Sequence, residues 1–254
     1  MRARERITHA ITEGRNTHGI ALVAYVTAGY PAMEAFPTIL KEACAQADVV
    51  EVGIPFSNPI ADGGTLQATS REALANGASM RRIMDELARL KGTLDAPLLL
   101  MGYLNPLLAY GLDEFADEAE DAGVDGVIVP DLPLEALDMA KPLTTIGMAT
   151  IGMVSPVTRD DRLARIIEKA TGFVYAVTSV GVTGQRRTDQ ADIVGYLKKV
   201  RNASSIPVCA GFGIREKAHV DTFRGACDGV IIGSALMEAV GEGRGIGPIL
   251  KGLR

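Results

Sequence analysis

The feature that most constrains the fold is a repeated alternation of short apolar runs with longer amphipathic ones. The apolar runs are Ala21–Val26, Val49–Gly53, Pro97–Tyr103, Gly126–Pro130, Ala149–Val154, Gly172–Val177, Pro207–Ala210 and Gly229–Ile232. They are rich in Val, Ile and Leu and do not alternate strictly with polar residues, which is the pattern of parallel strands covered on their outer face. Between them lie stretches with apolar residues at helical spacing. These are Ala32–Ala45, Met80–Leu90, Leu112–Ala122, Pro133–Lys141, Asp160–Lys169, Asp189–Val200, Lys217–Phe223 and Ala235–Val240. Eight strands alternating with eight helices predict an α/β chain folded as a (β/α)8 TIM barrel rather than a doubly wound sheet. An extra helix near Ala3–Thr12 precedes the first strand and is placed to close the bottom of the barrel. Pro37 is tolerated best in a first turn, so the regular part of its helix starts near it. Two phrases, AGVDGVI at 122–128 and GACDGVI at 225–231 in its core, each end a helix near glycine and launch a buried strand.

The 254 residues fit one such barrel, and no low-complexity linker divides them, so 1–254 reads as one domain. A net charge of -5 leaves no basic field to attract a nucleic-acid backbone. No apolar run reaches the roughly 18 residues of a membrane span, and the charged N-terminus lacks the apolar core of a secretory signal. Cys44, Cys209 and Cys227 form no paired spacing and predict neither a disulfide framework nor a zinc site. A reducing, cytoplasmic location is expected. His9, His18 and His219 have no ligand spacing, so no metal is expected.

In a barrel of this kind chemistry belongs at the C-terminal ends of the strands. Three segments stand out there. Glu51 interrupts the apolar strand VVEVG, where partial desolvation raises a carboxyl pKa towards neutrality and suits it to acid–base work. Asp62 follows on a long loop ending in Gly63-Gly64. Taken singly, each acid reads equally well as structural, Glu51 as half of a buried ion pair and Asp62 as a loop-stabilising turn residue. The segment from Thr178 to Thr188 is rich in glycine and hydroxyls and is a candidate lid, or else an ordinary surface loop. Gly211-Phe212-Gly213 and Gly233-Ser234 follow the last two strands, the usual phosphate site of the fold, where glycines admit an anion to backbone N–H groups. Arg215 reads either as an assistant to that site or as an exposed first-turn residue.

These residues carry a resemblance. EVGIPFSNPIADG at 51–63 resembles the signature loop of the tryptophan synthase alpha subunit family. YVTAGYP at 25–31, YLNP at 103–106, VPDLP at 129–133, GVTG at 181–184, GFGI at 211–214 and GSA at 233–235 follow in the order and spacing of that family. The resemblance implies a lyase that cleaves indole-3-glycerol phosphate into indole and glyceraldehyde 3-phosphate. It implies Glu51 as general acid–base and Asp62 as the partner of the indole N–H. It further implies Tyr103, Ile128, Tyr175 and Phe212 around the substrate, Thr183 anchoring the lid, and Gly184, Gly213, Gly233 and Ser234 on the phosphate. No cofactor is expected in this chain. Pyridoxal phosphate is expected only in a beta subunit, the partner in an α2β2 assembly. Three positions depart from the family pattern. Asn58 stands in place of an Asp that faces the beta subunit, Gly64 in place of a Pro, and Arg215 in place of a small hydroxyl residue. Gly64 is expected to make its loop more mobile. The rival readings are an isomerase on another phosphate-binding barrel, which has no reason to carry the loop at 51–63, and a non-catalytic activating subunit.

Overall fold

A computed structural model describes residues 2–178, 190–211 and 213–254. Its sheet contains β1 (Ala21–Thr27), β2 (Val49–Gly53), β3 (Leu98–Met101), β4 (Gly126–Ile128), β5 (Ala149–Thr150), β6 (Gly152–Val154), β7 (Val174–Val177), β8 (Val208–Gly211) and β9 (Gly229–Ile232). Every pairing is parallel, and the order is β5-β4-β3-β2-β1-β9-β8-β7-β6. The two outer members are the halves of the fifth sequence-predicted strand, Ala149–Val154. Its first half pairs with β4 and its second with β7, so the chain itself carries the sheet round to a nearly closed barrel. Gly152 sits at this bend, where a Cβ would meet Ala170 and Ile166 of the covering helix segment. β1, β2, β3, β8 and β9 are buried along their whole lengths, which explains why their sequences do not alternate.

Most helices fall where their apolar spacing predicts, and three more were not expected: Gly64–Ala75, Leu104–Tyr110 and Gly247–Leu253. Gly64–Ala75 buries only Thr69, Ser70 and Ala73 fully, so it lacks the large apolar stripe that marks a helix in sequence. Gly64, expected to make the preceding loop more mobile, is the first residue of this helix. The stretch Pro133–Lys141 was expected to be an α-helix. It is a 3-10 segment, Leu134–Ala140, kinked at Ala136 and followed by a short α-helix, Lys141–Thr145, with Pro142 in its first turn.

The bottom of the barrel is closed by helix Ala3–His18, longer than the expected Ala3–Thr12, which buries Ile7 and Ile11. Three aspartates brace the strands there, each immediately preceding its strand. Asp48 accepts the Leu22 N–H at 2.7 Å, Asp125 the Leu98 N–H at 3.1 Å and Asp228 the Val208 N–H at 2.9 Å. Each therefore joins the start of its own strand to the adjacent one. Arginines balance them: Arg254 on Asp48, Arg6 on Asp125, and both Arg15 and Arg201 on Asp228. Two of these pairs also pin the N-terminal helix. Replacing Asp228 by Ala removes a buried acceptor and leaves two guanidinium groups without their carboxylate. Because those groups are about a third exposed, the expected loss is about 2–3 kcal/mol, read as a lower midpoint in urea unfolding.

Candidate active site

Parallel register fixes which side chains meet inside the barrel mouth. Tyr25 of β1, Glu51 of β2 and Leu99 of β3 stand at one level, and Thr27, Gly53 and Met101 at the next on the same face. Two aromatic rings occupy the space left by glycine. A Cβ at Gly53 would lie 2.0 Å from the Tyr25 hydroxyl, and one at Gly211 would lie 2.4 Å from the Tyr175 ring. Tyr25 and Tyr175 therefore lean across neighbouring strands because those strands carry no side chain there.

Glu51 is almost fully buried, at 1% exposure, and its Oε2 atom has no hydrogen-bond partner among the described residues. Burial pushes its carboxyl pKa up to about 8, and the nearby Asp62 charge pushes in the same direction. Asp62 is buried as well and is raised to about 6, again chiefly by desolvation. A hydrogen bond from the Tyr103 hydroxyl works against that rise by favouring the ionised form. Near neutral pH the pair thus holds one protonated and one ionised acid, the division of labour that acid–base chemistry requires.

The loop between β2 and Gly64–Ala75 is held in place locally. The Asp62 N–H donates to the Pro59 carbonyl at 3.1 Å, and the Gln67 side-chain amide donates to the Asp62 carbonyl at 2.9 Å. Tyr103 reaches over from the loop after β3 and accepts the Ala61 N–H at 3.0 Å, while its ring lies 5.3 Å from that of Phe56. In turn, Asp131 accepts the Leu104 N–H at 2.8 Å. Loops after β2, β3 and β4 are tied together in sequence, with Asp62 at the inner end.

Glu51, Asp62, Tyr175, Gly213, Gly233 and Ser234 line one cavity. The carboxylates stand on the β2 side. Gly213, at φ +79°, follows β8, and Gly233 precedes helix Ser234–Gly241, whose first turn offers free N–H groups to an anion. Beside Ile214, which follows the Gly213 turn, Tyr25, Leu66, Met101 and Ile231 complete the apolar lining. Sequence reasoning did not assign these four; the inward register of Tyr25 beside Glu51 was the available signal. Tyr103 acts on Asp62 from outside the cavity lining. Ile128 is fully buried on β4 and is not part of the lining. Thr183, Gly184 and Phe212 lie outside the described residues, as does nearly all of the candidate lid.

A separate cavity of about 360 Å³ lies behind β4 and β5, under the 3-10 segment. Its walls include Val127, Leu134, Leu137, Ile151 and Ile166, and they bring together no pair of acids. The candidate active site is therefore the barrel mouth, where two perturbed acids share an opening with the glycine turns. Among the described residues, no group of three or more His, Cys, Asp or Glu side chains is placed to hold a metal ion.

Comparison with known proteins bears on the family and the fold. A family model described as tryptophan synthase alpha chain matches residues 11–246. The tryptophan synthase alpha chain of Carboxydothermus hydrogenoformans is 40% identical over 237 residues, covering 92% of this chain and 89% of that protein. A tryptophan synthase subunit alpha from Legionella pneumophila superposes with a TM-score of 0.86 at 30% identity, covering 98% of this chain and 96% of the other. A chain of the tryptophan synthase α2β2 complex from Pyrococcus furiosus superposes with a TM-score of 0.83 at 34% identity, covering 92% and 96%.

The raised pKa of Glu51 has a consequence for stability. Between pH 4.5 and about 8 the folded chain holds a proton that the unfolded chain has released. Stability therefore falls as pH rises through this window. Glu51→Gln cannot ionise, so the variant is expected to gain on the parent steadily across that range. Urea unfolding of both proteins at several pH values measures the difference; parallel curves would rule out the buried, protonated state.

Proposed function

The chain belongs to the tryptophan synthase alpha chain family, and we propose on that premise that Glu51 and Asp62 carry out its lyase reaction. That reaction, the alpha reaction of L-tryptophan biosynthesis, cleaves indole-3-glycerol phosphate to indole and glyceraldehyde 3-phosphate. The observation that carries the assignment is a single cavity with two desolvated acids on one side and glycine-rich anion turns on the other.

The chemistry needs a proton on the ring carbon before the carbon–carbon bond opens. Protonated Glu51 supplies it. The ring nitrogen then takes on iminium character, and ionised Asp62, hydrogen-bonded to its N–H, stabilises the positive charge. The Glu51 carboxylate next accepts the proton of the adjacent glycerol hydroxyl. As that C–O becomes a carbonyl, the bond to the ring breaks and its electron pair returns to the ring. Indole and an aldehyde result, and Glu51 is again protonated. The steps use only this chain's own acids. Gly213, Gly233 and Ser234 hold the phosphate, and a part for Gly184 rests on the family resemblance alone. Tyr175 lines the cavity that would take the guest, and the roles of Ile128, Phe212 and Thr183 rest on the family resemblance alone.

Glu51→Gln keeps the shape and removes the transferable proton. Indole release is expected to fall by at least about 100-fold with KM within a few-fold of the parent. Turnover within several-fold of the parent would refute the assignment. Asp62→Asn keeps a hydrogen-bonding group but loses the charge that stabilises the iminium, so kcat falls there too.

The partner in this reading is a beta subunit carrying pyridoxal phosphate, in an α2β2 assembly. Ile60, on the loop after β2, and Leu108, in the helix Leu104–Tyr110 that follows Tyr103, are exposed apolar side chains, at 68% and 44%, and the Tyr103–Ala61 hydrogen bond joins the two segments. Exposed apolar side chains on two joined rim segments suit a docking surface beside the site. Asn58, exposed on the same loop, offers the partner no charge. Leu108→Asp is expected to weaken stimulation of indole release by a beta subunit while leaving the isolated chain's rate unchanged. A titration of the beta subunit against both proteins measures this. The three free, buried cysteines suit a reducing compartment, which we take to be the cytoplasm.

A further inference from the structure

Arg215 follows the Gly213 turn and lines the same cavity as Gly213, Gly233 and Ser234. Its guanidinium group pairs with Glu238, one turn into helix Ser234–Gly241. The other carboxylate oxygen of Glu238 accepts the Thr65 hydroxyl at 3.1 Å, in the first turn of the helix that follows Asp62. One acid thus ties together both glycine turns and the helix behind a proposed catalytic residue.

That placement poses an electrostatic problem. Glu238 lies four residues beyond Ser234, close to the helix N-terminus that the glycine turns leave open to an anion. A phosphate arriving there would face a like charge across a partly desolvated gap. A cation shared by both anions removes the repulsion. Arginine suits this task, since its planar fork presents five N–H donors and serves two acceptors at once.

We propose that Arg215 is a substrate-binding residue that grips the phosphate while staying paired to Glu238, and that this pair sets the preference for a phosphorylated over an unphosphorylated substrate. The proposal rests on the reading of the glycine turns given under Proposed function. It assigns the turns to the shape of the anion site and Arg215 to its charge.

The test compares indole release from indole-3-glycerol phosphate and from unphosphorylated indole-3-glycerol by the isolated full-length chain. The proteins are the parent, Arg215→Gln, Glu238→Gln and the double variant. Arg215→Gln is expected to raise KM for the phosphorylated substrate by about tenfold, with kcat within twofold. Its kcat/KM on the unphosphorylated substrate should not change. Competitive inhibition by inorganic phosphate should weaken by the same factor, which reads binding without catalysis. Adding Glu238→Gln to Arg215→Gln should recover severalfold in KM, because the unmasked repulsion is removed. Equal effects on the two substrates, an unchanged KM, or no recovery in the double variant would overturn the proposal. A parent that releases no indole from either substrate would remove the functional reading and this inference together. A parent that turns over, with its substrate preference unaltered by Arg215→Gln, would remove only the inference.

Discussion

The site depends on placing a carboxyl group inside an apolar strand at the mouth of the barrel. Glu51 has Val50 and Val52 on either side and is shut off from water by the neighbouring strands. Losing hydration costs the ionised form more than the neutral one, so the proton stays on. The barrel makes this arrangement possible because Glu51 has Tyr25 and Leu99 beside it on the paired strands, and Arg215, the cation in the same cavity lining, is paired with Glu238. A lysine or arginine within reach would convert the same acid into half of an ion pair and remove its use as a proton donor near neutral pH. Among the described residues the Oε2 atom of Glu51 has no hydrogen-bond partner, in keeping with a buried, protonated acid.

The two ends of the barrel divide the remaining charge between them. At the bottom, Asp48, Asp125 and Asp228 are each matched by arginine and by a strand N–H, so their charges stabilise the frame. At the top, among the described residues, Asp62 is matched by the Tyr103 phenol, a weaker partner that moderates its rise in pKa without cancelling it. In the proposed reading, residues of one chemical type serve stability at one end and chemistry at the other, according to whether a cation stands beside them. The braced loops after β2, β3 and β4 hold Asp62 still, and an acid meant to stabilise transient charge is most effective when already in position.

Much of this was legible in the chain because it has a local cause. Buried parallel strands read as unbroken apolar runs, so Val49–Gly53 and Gly229–Ile232 were placed to the residue. Met80–Leu90 and Asp160–Lys169 carry strong apolar stripes and were equally clear. Glu51 stood out because an acid has no local reason to lie in such a strand. Other features were hidden because their cause is not local. Helix Gly64–Ala75 is stabilised by Thr69, which bonds to Thr27, and by Thr65, which bonds to Glu238; neither contact leaves a periodic apolar signal. The break at Ile151 arises because one strand must serve two neighbours, a condition set by closure of the sheet.

By itself the sequence determined the barrel, the acid in its second strand and the glycine turns after its last two strands, since periodicity and backbone freedom act over a few residues. Only the tertiary structure decided that those acids are desolvated enough to differ in protonation, that Tyr103 restrains one of them, and that Glu238 joins Arg215 to the helix behind Asp62. These outcomes depend on distance and on exclusion of water between segments remote in the chain, and neither quantity exists until the sheet has closed.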